Sequence, residues 1–235
     1  MRKFTMMAAG AAAAFGMIGS ASAATVFSAT IEEEQSTTPS PGFSNQFGQA
    51  SLSLEQDEDG TFSLAISVTF TGDLDFSGII ASGQIDNVIG NAGASTGELV
   101  TGFHLHDAER GETGPVVFSL FDTNPMRAIT TSDTDGENTI EFGDDGSVIV
   151  SSIWDMGEGT DAGTLMDFIA ELANANEGDD IGLYFNLHTA AAESGLIRGQ
   201  VVAENDINPV PVPAALPLFV GAVVAGGAIR RRRAR

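Results

Sequence analysis

Apolar and polar residues alternate in short runs along most of this chain, with turns between them. That two-residue period belongs to strands with one buried face. Ala50-Ser51-Leu52-Ser53-Leu54 alternates cleanly, and residues 61–70 return in the same way after Gln56-Asp57-Glu58-Asp59-Gly60. Asp-Gly between two alternating runs predicts a hairpin, because glycine accepts the positive φ of a tight turn. Residues 139–142 and 147–153 predict another hairpin around Gly143-Asp144-Asp145-Gly146. Residues 25–31, 99–106, 116–121, 181–187 and 196–203 read as further strands. Residues 32–48, with Pro39 and Pro41, read as a long loop. One stretch keeps a different period. Leu165, Phe168, Ile169 and Leu172 recur at helical spacing, so residues 164–176 predict a helix, with Thr160 or Asp161 as its cap. Residues 71–97 are rich in Gly, Ser, Asn and Asp and read as a candidate insertion. The pattern predicts an all-β fold, an antiparallel β-sandwich with one short helix.

Both ends read as addresses. Arg2 and Lys3 precede a short apolar, Gly-containing run that ends in Ala21-Ser22-Ala23, so residues 1–23 are expected to be a cleaved signal peptide. Near the other end, Val210-Pro211-Val212-Pro213 closes a linker over 206–213. An apolar segment follows over 214–229, slightly shorter than a full bilayer span, and then a basic tail over 230–235. The arginines predict a cytoplasmic tail and an apolar segment that enters the inner membrane transiently. This arrangement resembles the bacterial PEP-CTERM sorting signals of the Val-Pro-Leu-Pro-Ala type, with Val212 in the Leu position. The resemblance implies an exosortase-like processing enzyme as a partner and a mature body that is secreted or displayed at the cell surface.

Composition narrows the choices. Seven of the ten bases lie in the two ends, so Arg110, Arg127 and Arg198 face all 32 acids, a net charge of −29 over residues 24–208. Such a body repels nucleic acid, which is excluded as a partner. The chain has no cysteine. An exported domain without disulfides must hold together by burial, by hydrogen bonds or through a bound ion.

All three histidines fall in two motifs. Residues 102–120 read Gly-Phe-His-Leu-His-Asp-Ala-Glu-Arg-Gly-Glu-Thr-Gly-Pro-Val-Val-Phe-Ser-Leu, and residues 184–200 read Tyr-Phe-Asn-Leu-His-Thr-Ala-Ala-Ala-Glu-Ser-Gly-Leu-Ile-Arg-Gly-Gln. These resemble the two signatures of the CHRD domain, a His-x-His followed by Gly-Pro-Val-Val and an Asn-x-His-Thr followed by Gly-x-Ile-Arg-Gly-Gln. The likeness covers residues 24–205 and marks Gly114, Pro115, Asn186, Thr189, Arg198, Gly199 and Gln200 as structural motif residues. Leu196 stands where the family often has Glu, which removes a carboxylate expected beside Arg198. A sandwich of this class would be immunoglobulin-like or superoxide-dismutase-like.

His104 and His106 lie two residues apart, so on a strand both imidazoles face one side about 7 Å apart, and a neighbouring strand could bring His188 to them. Three histidines with an open position suit copper or zinc. The same side chains, with Asn186, Thr189 and Arg198, would otherwise form a hydrogen-bonded network that joins strands. Asp57-Glu58-Asp59-Gly60, Asp133-Thr134-Asp135-Gly136 and Asp144-Asp145-Gly146 crowd carboxylates into turns and are candidate calcium sites, although none fits the twelve-residue loop pattern. No Gly-x-Ser-x-Gly elbow is present and no residue is assigned a catalytic role. The leading expectation is a non-enzymatic, exported surface or extracellular-matrix protein that binds exopolysaccharide or surface proteins. The alternative is a metal-binding protein or metalloenzyme, redox and dismutase-like, built on the three histidines.

Overall fold

A computed structural model describes residues 25–36, 46–57, 59–91, 97–124 and 131–204. The expected leader, sorting linker, apolar segment and basic tail lie outside the described residues. Among the described residues no helix is long and apolar enough to cross a membrane.

The alternating runs become strands as the pattern requires. Strands β1 (Thr25–Ile31), β2 (Phe47–Gln56) and β3 (Phe62–Thr71) pair antiparallel in a meander. Phe27, Ala29 and Ile31, then Ala50, Leu52 and Leu54, then Leu64, Ile66, Val68 and Phe70 are buried on one face. The β2–β3 turn closes through Gly60 at φ 89°, and Asp59 Oδ1 accepts the Thr61 N–H at 3.0 Å. The later hairpin repeats the device, with Gly146 at φ 84° and Asp145 Oδ1 accepting from Ser147 N–H.

The segment read as an insertion holds β4 (Leu74–Asp75), α1 (Ser77–Ser82) and β5 (Asn87–Ile89). Leu74, Phe76 and Ile79 are buried in the common core, so this segment helps to build the domain. Then come β6 (Glu98–Asp107), β7 (Val116–Asp122), β8 (Thr139–Phe142) and β9 (Val148–Asp155). A small two-stranded ribbon of β10 (Gly159–Thr160) and β11 (Gly163–Thr164) leads into α2 (Leu165–Asn174), and β12 (Asp180–Thr189) and β13 (Ile197–Ala203) complete the chain.

Eleven strands belong to one large curled sheet in the order β4-β6-β12-β13-β1-β2-β3-β9-β8-β5, with β7 also paired to β6. This corrects the expected antiparallel class. The domain is mostly β, but the sheet is mixed: β4 runs parallel to β6, and β5 parallel to β8. Both offending strands are two or three residues long, too short for alternation to show in the sequence. A second helix, α1, also lies within the stretch read as an insertion, where one helix in all was expected.

The expected helix forms, with Leu165, Phe168 and Leu172 buried, but its cap is Thr164 rather than Thr160 or Asp161. Thr164 and Asp167 make a reciprocal capping box, with the Thr164 N–H donating to Asp167 Oδ2 at 2.9 Å. Phe168 packs on Trp154 with ring centres 5.6 Å apart, and Trp154 stacks on Phe118 at 5.1 Å. On the other flank of the core, Phe103 stacks on Phe185 at 5.3 Å and meets Phe70 edge-on at 5.1 Å.

The strands differ in what covers them. On β2, alternate residues are exposed. From Gly102 to His106 on β6, and from Leu183 to Thr189 on β12, every residue is buried. Phe103, Leu105, Leu183, Phe185 and Leu187 fill the core side. Something must therefore cover the polar side as well, and that cover builds the site.

Candidate metal centre

Cross-strand register places the motif residues on one face. His106 pairs with Tyr184 and His104 with Asn186 across β6 and β12, while Tyr184 pairs with Gln200 and Asn186 with Arg198 across β12 and β13. Paired residues point to the same side of a sheet. His104, His106, Tyr184, Asn186, His188, Arg198 and Gln200 thus form a continuous polar patch on the face opposite the phenylalanines. The expectation that His188 would be brought to the other two histidines holds. One ring nitrogen from each lies within 4.8 Å of the others, and the ring centres are 4.9 Å (His104–His188), 5.8 Å (His104–His106) and 6.1 Å (His106–His188) apart.

Two loops cover the patch. The first, 107–115, folds back because the Asp107 N–H donates to Pro115 O at 3.0 Å. It passes so close to its own start that a Cβ on Gly114 would sit 1.7 Å from the Asp107 carbonyl oxygen. Gly114 then aims its carbonyl at His106 Nδ1, 2.9 Å away, and its N–H donates to the Tyr184 hydroxyl at 3.3 Å. Arg198 donates to the carbonyls of Glu109 and Glu112, and Gln200 Nε2 to those of Ala108, Ile181 and Leu183. The second loop, 189–196, is held by Thr189 Oγ1, which accepts from Ala192 N–H, and by Asn186 Nδ2, which donates to Ser194 O. Gly195, at φ +120°, leaves room for Asn186, whose Oδ1 a Cβ would approach to 2.1 Å. This loop presents Glu193 O to His188 Nδ1 at 2.9 Å. Gly199 lets β1 pass close, since a Cβ there would meet Thr30 O at 2.6 Å. The motif residues therefore serve as a frame for three imidazoles. Pro115 supplies the carbonyl that folds the first loop back.

Hydrogen bonds set the tautomers of two of the three rings. A carbonyl oxygen only accepts, so His106 and His188 donate from Nδ1 and keep a lone pair on Nε2. His104 Nε2 lies 3.1 Å from Asp122 Oδ2, both groups fully enclosed. Imidazoles steadied from behind by a carbonyl or a carboxylate are the usual outer surroundings of metal-bound histidine. An ion bonded at about 2.0–2.1 Å to each nitrogen needs them within about 4 Å of one another, close to the spacing of within 4.8 Å seen here.

The sequence reading missed two contributors, Asp122 and Tyr184, and named Arg198 without its stacking role. Asp122 on β7 lies beside Gly102, and its link to His104 depends on a bulged β6–β7 register that no local pattern reveals. Tyr184 stacks on His106 with ring centres 4.8 Å apart and planes 15° apart. The guanidinium of Arg198 lies 3.5 Å over the Tyr184 ring centre. Burial pulls the Arg198 pKa down from its ordinary value, while Leu196, where a carboxylate was in question, is fully buried.

The acidic turns separate into two kinds. Asp59 and Asp145 close hairpins with their own carboxylates. At 133–136 the chain gathers carboxylates: Asp133, Asp135 and Glu158 form one group, and Asp135, Glu137 and Asp155 another. Asp133 already accepts four backbone N–H groups, and Glu158 accepts from Thr134 and Asp155. Their oxygens are largely committed to ordering the loop. Burial, then the neighbouring negative charges, push the Asp135 carboxyl up to about 6 and that of Glu137 up to about 7.

No curated protein and no solved structure matches the chain. The family model described as the CHRD domain matches residues 27–201, which take in every histidine and both covering loops. The chain belongs to the CHRD domain family.

Proposed function

We propose that this CHRD domain binds one transition-metal ion, copper or zinc, through His104, His106 and His188. The convergence of three buried imidazoles, with His106 and His188 held through Nδ1 by backbone carbonyls, supports this reading. A network serving only to join strands would gain nothing from gathering three imidazole nitrogens within 4.8 Å of one another. The proposal is a binding site and assigns no turnover. Elemental mass spectrometry on the purified protein, made without a polyhistidine tag, tests it. About one copper or zinc per chain is expected, lost in His104→Ala and in His188→Ala. A folded, metal-free protein that takes up neither ion on addition would overturn the reading.

The proposed setting is the cell exterior, reached through the leader and the sorting tail, with an exosortase-like enzyme as processing partner and exopolysaccharide or surface proteins as binding partners. The acidic body and the Pro-apolar-Arg tail support this setting. Removing residues 210–235 should leave the protein in a different cell fraction, and unchanged localisation would refute the surface assignment.

A further inference from the structure

The polar patch carries more than its three ligands. Strand β12 lies between β6 and β13, so Tyr184 has His106 on one side and Arg198 on the other. Arg198 is 3 % exposed, and its hydrogen bonds run to the carbonyls of Glu109 and Glu112 and to Gln200 Oε1. Among the described residues no carboxylate lies within ion-pair distance of it, whereas the exposed Arg110 has Asp180 at 2.7 Å. A buried cation therefore sits two stacked rings away from the centre of the cluster.

We infer that the ion this site is built to hold is copper in its monovalent state, with Arg198, acting through the Tyr184 ring on His106, as a positioning residue that disfavours a dication. The inference rests on the metal-binding reading above and specifies it.

Charge is the first reason. All three donors are neutral imidazoles, and the nearby carboxylate of Asp122 is offset on the same face by Arg198. A dication would leave two uncompensated charges in a water-poor site, and a monovalent ion one. In low dielectric that difference is heavily weighted. Coordination number is the second. Among the described residues the cluster gathers three histidine donors. Monovalent copper is satisfied by three nitrogens alone, whereas zinc and divalent copper need a further ligand, such as a water, to complete their sets. The stack is the third. A guanidinium over the face of Tyr184 draws electron density from the ring that stacks on His106, and the stack fixes the plane of that imidazole.

The test compares affinities for monovalent and divalent copper and for zinc, each by competition with a chelator, on the full-length protein without a tag. Wild type is expected to hold monovalent copper at least a hundredfold more tightly than zinc. Arg198→Met should cut the preference for monovalent over divalent copper tenfold or more, a midpoint potential lower by about 59 mV for a one-electron couple. Arg198→Lys should restore most of it. Tyr184→Leu should show the same loss as Arg198→Met and Tyr184→Phe little change, and this pair decides the matter if Arg198→Met fails to fold. Zinc held as tightly as monovalent copper, or unchanged preference in both Arg198→Met and Tyr184→Leu, overturns the inference while the metal reading stands. A folded wild type that binds none of the three ions overturns both.

Discussion

Glycines of the two motifs show how single residues reach the site without touching it. Gly114 contributes no side chain, yet its carbonyl fixes the tautomer of His106 and its N–H meets Tyr184. Gly114→Ala would drive a Cβ into the Asp107 carbonyl, so the loop must move and the Gly114 carbonyl leave His106. The variant should remain folded but lose about 1–3 kcal/mol in urea unfolding, and its metal affinity should fall roughly 10–100-fold, as for other losses of a partner behind a metal ligand. Wild-type metal affinity in this variant would show that the loop carbonyl does not matter. In the sequence the glycine was visible as part of a motif. Its reason was not, because a close approach between residues 107 and 114 is a property of the folded loop.

At the scale of elements, α2 illustrates both what periodicity reveals and where it stops. The stripe of Leu165, Phe168 and Leu172 faces the core as its spacing implied, because a 3.6-residue period leaves one face apolar. The cap was misplaced by three or four residues. Gly159–Thr160 and Gly163–Thr164 first form a ribbon, and only then does Thr164 meet Asp167. Thr164→Ala should cost about 1 kcal/mol, and Phe168→Ala about 3 kcal/mol through the cavity left against Trp154, both read by urea unfolding. Equal losses from the two would mean that the cap holds the helix as strongly as its packing does. The strands divide in the same manner. Those of four residues or more were legible, whereas β4 and β5 gain their pairing only from the longer strands they lie beside.

Across the whole molecule, negative charge is the dominant feature, and it concentrates at the 133–137 loop. Asp135 and Glu137 bind a proton more tightly in the folded chain than in the unfolded one, with values of about 6 and about 7 against ordinary values of 3.8 and 4.5. A raised carboxyl favours the folded state at pH values below its unfolded pKa, and this contribution is lost as pH climbs through the folded value. The cluster should therefore weaken the fold progressively between about pH 4.5 and 7. Glu137→Gln removes one of these charges. Its Tm should exceed that of wild type at pH 8, and the gap should narrow at pH 5, where scanning calorimetry of the two proteins side by side cancels the titration of the histidines. A gap independent of pH would rule out proton linkage at this loop. The charge itself was plain from composition, but which carboxylates lie together was not, since Glu158 joins Asp133 from 25 residues away.

The sequence alone determined the alternating strands, the apolar stripe of α2, the family and the three histidines, because each rests on local spacing or on a contiguous motif. It also established that two of the histidines share a face, since residues two apart on a strand must. Tertiary structure alone decided the rest. The mixed order of the sheet follows from how the 71–97 segment crosses back to β6 and β8. The meeting of His188 with His104 and His106 is set by the register of β12 on β6, which hydrogen bonds between distant segments fix. The roles of Asp122, Tyr184 and Arg198 depend on which strands are neighbours. Hydrophobic period is a property of consecutive residues, whereas the convergence of polar groups on one face is a property of strand order, and no run of consecutive residues encodes that order.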